Sequence, residues 1–376
     1  MFMEVLKGYF SMFTSPQTLI MLILLIVFFM KNMKEAGLRR IILGESEDSP
    51  LVLTLYQIIF GVAGGFIISL LAGVFNIGFY SYMEVQIIFA MTVFLVTRFS
   101  PYVNLGINVV IVFLAGYLLE KEVIPVLDFV NLYLFIGLIY MVHGAMMLLD
   151  WKRGFIPVLF SRKGTIRGGF KIEKLYLVPA AVAFYSASGS ILGSSVFYLM
   201  LFHLFQVEET VMTFGKKQAM QVLSALKILT GALIFTGAYM ISFYMESVYL
   251  LVTLVPLLVY LEKMAFRLIE SRRKPYYISD DEEIMVLEVR EGTPAFRSGL
   301  RSGNRIVALD GKENPGYKSL IAFMGTIHYE RNVHLLVRNE KEEEMKVEFI
   351  IEKGNSTGII IVPPSDQMTL PEVKNA

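Results

Sequence analysis

Residues 284–311 read Ile-Met-Val-Leu-Glu-Val-Arg-Glu-Gly-Thr-Pro-Ala-Phe-Arg-Ser-Gly-Leu-Arg-Ser-Gly-Asn-Arg-Ile-Val-Ala-Leu-Asp-Gly. An apolar, β-branched run (Ile284–Val289) stops at Gly292-Thr293-Pro294-Ala295. Ser298-Gly299-Leu300 and a Gly303-Asn304 turn follow, and a second such run (Arg305–Leu309) closes on Asp310-Gly311. Short β-branched runs bounded by Gly, Pro and Asn are the signature of strands joined by turns. A compact sheet-containing domain is therefore expected here.

Downstream the pattern continues. Lys-Glu-Asn-Pro-Gly makes a turn, and 317–327 has helical spacing, with Leu320 and Met324 on one face and Tyr317 and Ile321 on the next. Alternating runs at 333–338 and 345–351 flank a charged connection and predict a hairpin. A last run, 358–362, ends at Pro363-Pro364, which cannot continue a ladder.

The order strand, Thr-Pro-Ala turn, Ser-Gly-Leu, Gly-Asn and Asp-Gly resembles a bacterial PDZ domain, with Thr293 in place of the usual Ser and Asn304 in place of Asp. The resemblance covers about 80 residues. It implies a groove that binds peptides by β-augmentation, in which a partner adds a strand to an exposed edge. The segment Lys353-Gly354-Asn355-Ser356-Thr357-Gly358-Ile359 has the form of a carboxylate-binding loop, which makes the module circularly permuted. The expected peptide-binding residues are Ser356, Thr357, Gly358, Ile359, Ile360 and Ile361, with Tyr317 and Ile321 facing them and Leu320 and Met324 filling the core.

Upstream the chain changes character. Hydrophobic residues make up 55% of the 376 and mean hydropathy is +0.59. Up to Lys274 there are 22 basic and 16 acidic residues, and after it 12 and 17, so a net charge of +1 conceals halves of about +6 and −5. Apolar runs cover about 16–33, 51–75, 83–97, 103–120, 123–149, 175–206, 218–243 and 247–262. Backbone groups in lipid must pair within the protein, so each run is expected to be helical, giving about seven to nine crossings. The small-residue centre of 175–206, Ser186-Ala187-Ser188-Gly189-Ser190, allows one tilted helix or a tight re-entrant pair. Lys and Arg cluster at 31–40, 152–174, 216–217 and 263–274. Placing all of them in the cytoplasm requires 175–206 to enter and return on one face. Residues 1–15 read as an interfacial helix, 16–265 as the membrane domain, 266–279 as a linker, 280–364 as the module and 365–376 as a tail. The fold class is thus a polytopic α-helical membrane domain followed by a small α+β PDZ domain.

Within the apolar runs the charges are Lys227 and Asp128, with His143 and His203 as neutral polar candidates. Such residues are functional hypotheses by default, set against snorkelling or helix–helix pairing. None of the four histidines is followed by Glu, so a His-Glu-x-x-His zinc site is excluded. A Ser188 dyad is disfavoured, because His203 lies about four helical turns away on the same run and His143 precedes the serines, the reverse of the usual rhomboid order. There is no cysteine, which removes disulfides and thiolate chemistry. No enzyme, cofactor or metal site is read, and no basic face suggests nucleic acid.

The multi-span body, the basic loop Arg162-Lys163-Gly164-Thr165-Ile166-Arg167-Gly168-Gly169-Phe170 leading into Lys174-Leu175-Tyr176-Leu177-Val178-Pro179, and the Gly-Ile-Ile-Ile-Val-Pro-Pro ending together resemble the MinJ-like family of cell-division topological factors. That resemblance implies a scaffold at septum and poles. It would link a DivIVA-like protein to a MinD-like ATPase, with the PDZ domain cytoplasmic. The rival reading is a PDZ-bearing component of regulated proteolysis or transport.

Overall fold

The computed structural model describes residues 2–14, 17–43, 49–96, 104–119, 126–162, 165–186, 195–243, 250–280, 282–324, 330–351 and 357–364. The membrane body comprises helices α1 (Phe2–Ser11), α2 (Gln17–Leu43), α3 (Pro50–Val74), α4 (Tyr82–Ala90), α5 (Leu105–Leu118), α6 (Val126–Leu149), α7 (Lys216–Ile241) and α8 (Leu250–Ser271). It also holds strands β1 (Gly78–Phe79), β2 (Phe155–Arg162), β3 (Thr165–Ser186) and β4 (Ser195–Val211).

The expectation of an all-helical body fails at 175–206. That run is two antiparallel strands, paired from Phe170↔Val211 to Ser186↔Ser195. The two halves of the run lie antiparallel, as extended backbone. Helix-forming pressure in lipid comes from unpaired amides, and this hairpin meets the same demand by other means. On one edge β3 pairs with β4, and near its ends β2 and β1 take the other edge. Between them, helix α3 lies against that edge. A Cβ at Gly61 would overlap the carbonyl of Leu177, and one at Gly65 the carbonyl of Pro179. Ser69 Oγ accepts the Ala181 N–H at 2.8 Å. The outward positions of the strand are therefore 177, 179 and 181, and they meet helix positions 61, 65 and 69, one turn apart. Pro179 fits because its missing N–H points at the helix, where no ladder bond is lost.

Three helices are long and apolar enough to cross a membrane: Pro50–Val74, Asp128–Leu149 and Lys216–Ile241. The runs at 83–97 and 103–120 do not make spanning helices. α4 continues as a 3-10 turn (Met91–Val96), and α5 has 14 residues. At 1.5 Å per residue α5 covers about 21 Å, short of the roughly 30 Å hydrocarbon core. Among the described residues three helices are candidate spans, where the sequence reading expects about seven to nine crossings. α1 packs on the body through Tyr9, which is buried against Ala181 and Met200 and donates to the Val62 carbonyl at 2.9 Å.

The intramembrane Asp128 has a structural partner set. Its carboxylate accepts the N–H groups of Tyr80 (3.0 and 2.9 Å) and Ser81 (2.6 Å), tying α6 to the β1–α4 turn. Asp128→Ala is expected to lower stability by about 2 kcal/mol, because it strands two amides. Chemical denaturation in detergent measures this, and an unchanged midpoint would contradict the assignment. Lys174, expected in an exposed basic loop, is instead buried in β3, 3.1 Å from Asp150.

The second unit is α+β: β5 (Ile284–Val289), α9 (Pro294–Arg297), β6 (Arg305–Leu309), β7 (Lys312–Glu313), α10 (Gly316–Met324), β8 (Arg331–Arg338), β9 (Glu344–Ile351) and β10 (Ile359–Ile361). Its sheet runs β10-β5-β6-β8-β9, with β7 on β6, around its own apolar core. Thr293 caps α9 by accepting the Phe296 N–H, and Asn304 Oδ1 accepts the Arg301 N–H at 2.8 Å. Gly299 and Gly303 hold φ of 98° and 89°, which L side chains rarely adopt.

The 266–279 segment is not a free linker. Its first part completes α8, and the rest is strapped to the hairpin base. Gly168 N–H donates to the Tyr277 carbonyl (2.9 Å) and Tyr276 N–H to the Met212 carbonyl (2.8 Å). A Cβ at Gly168 would meet Val362 at 2.7 Å and Leu287 at 2.9 Å, so the module packs directly on β3. The basic clusters gather around this base. Lys31 pairs with Glu173 at 3.6 Å, Lys216 pairs with Glu288, and Lys152 and Lys217 share the Trp151 ring.

Candidate functional site

Two places combine chemistry with access. The first is the edge of β10, where the sequence places its peptide-binding residues. Gly358 O accepts the Arg290 N–H and Val362 N–H donates to the Met285 carbonyl, so these positions face β5. By alternation, the backbone groups of Ile359 and Ile361 lie on the opposite edge, which no strand occupies among the described residues. The side chains of Ile359 and Ile361 enter the module core, while Ile360 packs towards the membrane body. Gly358 has φ of 66°, and a Cβ there would meet Thr293 Cγ2 at 2.6 Å.

Tyr317 is buried in the same core beside Leu320 and Phe323, and burial pushes its phenol pKa up. Tyr317 is thus a wall residue, whereas Ile321 remains 46% exposed on α10. Phe323 joins Leu320 in the core on the inward 317, 320, 323 face of α10, and the side chain of Met324, also expected there, lies outside the described residues. Thr357 is buried and its hydroxyl accepts the Ile359 N–H at 3.4 Å. That contact occupies an amide of the loop expected to hold a carboxylate. Ser356 lies outside the described residues, as do Ser188 and the hairpin tip.

The second place was invisible in the sequence. A cavity of about 680 Å3 lies between β4 and helices α6, α7 and α8. His143 stacks on His203 (5.0 Å) and on Phe205 (3.8 Å) at its inner wall. Lys227 of α7 pairs with Glu262 of α8 at 2.6 Å and lies 4.7 Å from the Tyr140 ring centre. Glu270 closes one end, accepting the N–H groups of Met212 (2.6 Å) and Thr213 (2.9 Å). Five buried polar atoms of its lining have no partner: His143 Nε2, Arg167 Nε, His203 Nδ1, Gln206 Oε1 and Glu262 Oε2. The intramembrane residues flagged singly in the sequence, apart from Asp128, thus converge on one chamber. Its lining comes from six separated segments, and only their individual polarity was legible.

Comparison with family models, with curated proteins and with solved structures finds no match to this chain.

Proposed function

We propose that the chain is a membrane-anchored adaptor that recruits protein partners by strand addition to the module. The observation that carries this reading is the open edge of β10, with Ile359 and Ile361 offering backbone groups beside a left-handed glycine. Docking of the module on β3 supports it, because a groove held rigidly at the membrane binds with less ordering entropy than a free one. Confinement of partners to the same surface then raises effective concentration. The engaged Ile359 amide favours internal extended segments over terminal carboxylates.

On this reading the basic clusters mark the cytoplasmic side. A MinJ-like role, joining a DivIVA-like protein to a MinD-like ATPase at septum and poles, is the cellular form we propose. Fluorescent fusions of the full chain are expected to focus at those sites, and a uniform membrane signal would sink the cellular assignment. Gly358→Val adds a side chain at positive φ and against Thr293. It is expected to weaken partner retention about ten-fold, equivalent to about 1.4 kcal/mol. Retention at the wild-type level in quantitative co-purification would exclude the β10 edge.

A further inference from the structure

We infer that the chamber between β4 and α6–α8 is a second peptide site, one that takes an extended segment of a membrane partner by pairing it with β4. Strand β4 pairs with β3 on one side, and no strand occupies its other side among the described residues. The direction of its amides follows from one contact: Leu204 N–H turns away from β3 and donates to Thr92 Oγ1 at 3.0 Å. Alternate residues repeat that orientation, so the N–H groups of Gln206 and Thr210 also face away from β3. Both residues line the chamber. From 206 to 210 the edge offers about 17 Å of template at roughly 3.3 Å per residue.

Three features select the occupant. An open strand edge presents a row of unpaired amides and carbonyls, and a small solute does not supply a ladder of backbone partners. The inner wall mixes apolar Leu223, Leu226 and Phe266 with the unpartnered atoms of His143, His203, Gln206 and Glu262. That pattern fits a segment alternating apolar side chains with hydroxyls or amides. The lining as a whole carries the cations Arg167, Lys171, Lys227, Lys263, Arg267 and Arg273 against the carboxylates Glu208, Glu209, Glu262 and Glu270, a positive balance that suits an acidic residue in the segment. The two walls contributed by α6 and α7 are candidate spans, so the segment belongs to a membrane protein.

The test uses the full-length protein in lipid nanodiscs and a fluorescein-labelled ten-residue peptide alternating Leu and Ser, with Asp at one end. Saturable binding by anisotropy is expected. Thr210→Pro removes an outward amide while sparing the β3–β4 ladder, and should weaken binding about ten-fold or more. Thr210→Ala, which keeps the amide, should stay within about two-fold. Gly358→Val alters the other site and should leave this binding unchanged. In the wild-type protein, bound peptide should slow hydrogen exchange at Gln206 and Thr210 without changing Phe205 or Val207. Absence of saturable binding, equal affinity of the Thr210→Pro variant, loss of binding in Gly358→Val, or slowed exchange outside this alternation would each overturn the assignment.

Discussion

Gly65→Ala is expected to destabilise the membrane body by about 3 kcal/mol, the upper end for forcing one extra carbon into a packed interior. The added Cβ would overlap a backbone carbonyl, that of Pro179, and not the movable end of a side chain. Relief requires α3 to withdraw from β3. Withdrawal also pulls Ser69 Oγ from the Ala181 N–H, leaving a buried amide unpaired. Gly61→Ala meets the Leu177 carbonyl in the same way. The double variant is expected to leave almost no folded protein in a detergent-based thermal shift assay. Gly37→Ala is the internal control: a Cβ there has no atom within 4 Å, so replacement in α2 should be neutral or slightly stabilising. If Gly65→Ala melted with the wild type, α3 would not be covering the strand edge, and the account of how a β-hairpin survives in this body would fall.

This same region marks the limit of what the sequence disclosed. In 282–364 short strands surround one small core, with alternation clearest in β8 and β9, and turns carry Gly or Asn. Five of its strands were readable, including the hairpin built on Asn339, whose Oδ1 accepts the Lys341 and Glu343 N–H groups, while the two-residue β7 was read as part of a turn. In β3 from Leu175 to Val182 both faces are buried, so the period of two disappears under continuous hydrophobicity. Length alone then favoured a helix. Two signals argued otherwise: Pro179 in mid-run, and Gly61, Gly65 and Ser69 spaced four apart on α3. A four-residue rhythm of small side chains usually announces another helix. Here it accommodates carbonyls of an extended strand.

The two sites differ in the same sense. β10 was legible because its glycine, loop and strand are contiguous. The chamber draws on 104–105, 140–147, 167–171, 203–213, 223–227 and 259–275, and no local motif joins them. Each of its polar residues taken alone has a bland explanation. Only their convergence beside a strand edge gives them a common role. The structure also connects the sites mechanically. α8 walls the chamber with Glu262 and Phe266, Glu270 grips the end of β4, and the strap through Tyr276 and Tyr277 leads into β5, on which β10 pairs.

The pair that crosses the chamber gives the other large effect. Lys227 and Glu262 are 2.6 Å apart, with side chains 17% and 10% exposed, and they tie α7 to α8. Lys227→Met removes the cation and leaves a carboxylate whose second oxygen already has no partner. A buried charge stripped of its counter-ion costs about 3–5 kcal/mol, far more than the pair contributes over two apolar side chains. The Lys227→Met variant is therefore expected to be strongly destabilised, and Glu262→Gln less so, because the long lysine stem can carry its ammonium towards water. Combining the two should recover most of the loss, with a coupling of about 2 kcal/mol or more in a double-mutant cycle by denaturant unfolding. Additive losses would mean that each residue acts through other neighbours. Recovery of stability without recovery of peptide binding would separate the two roles: the charges hold the helices at a fixed spacing, and the spacing keeps β4 open to a partner strand.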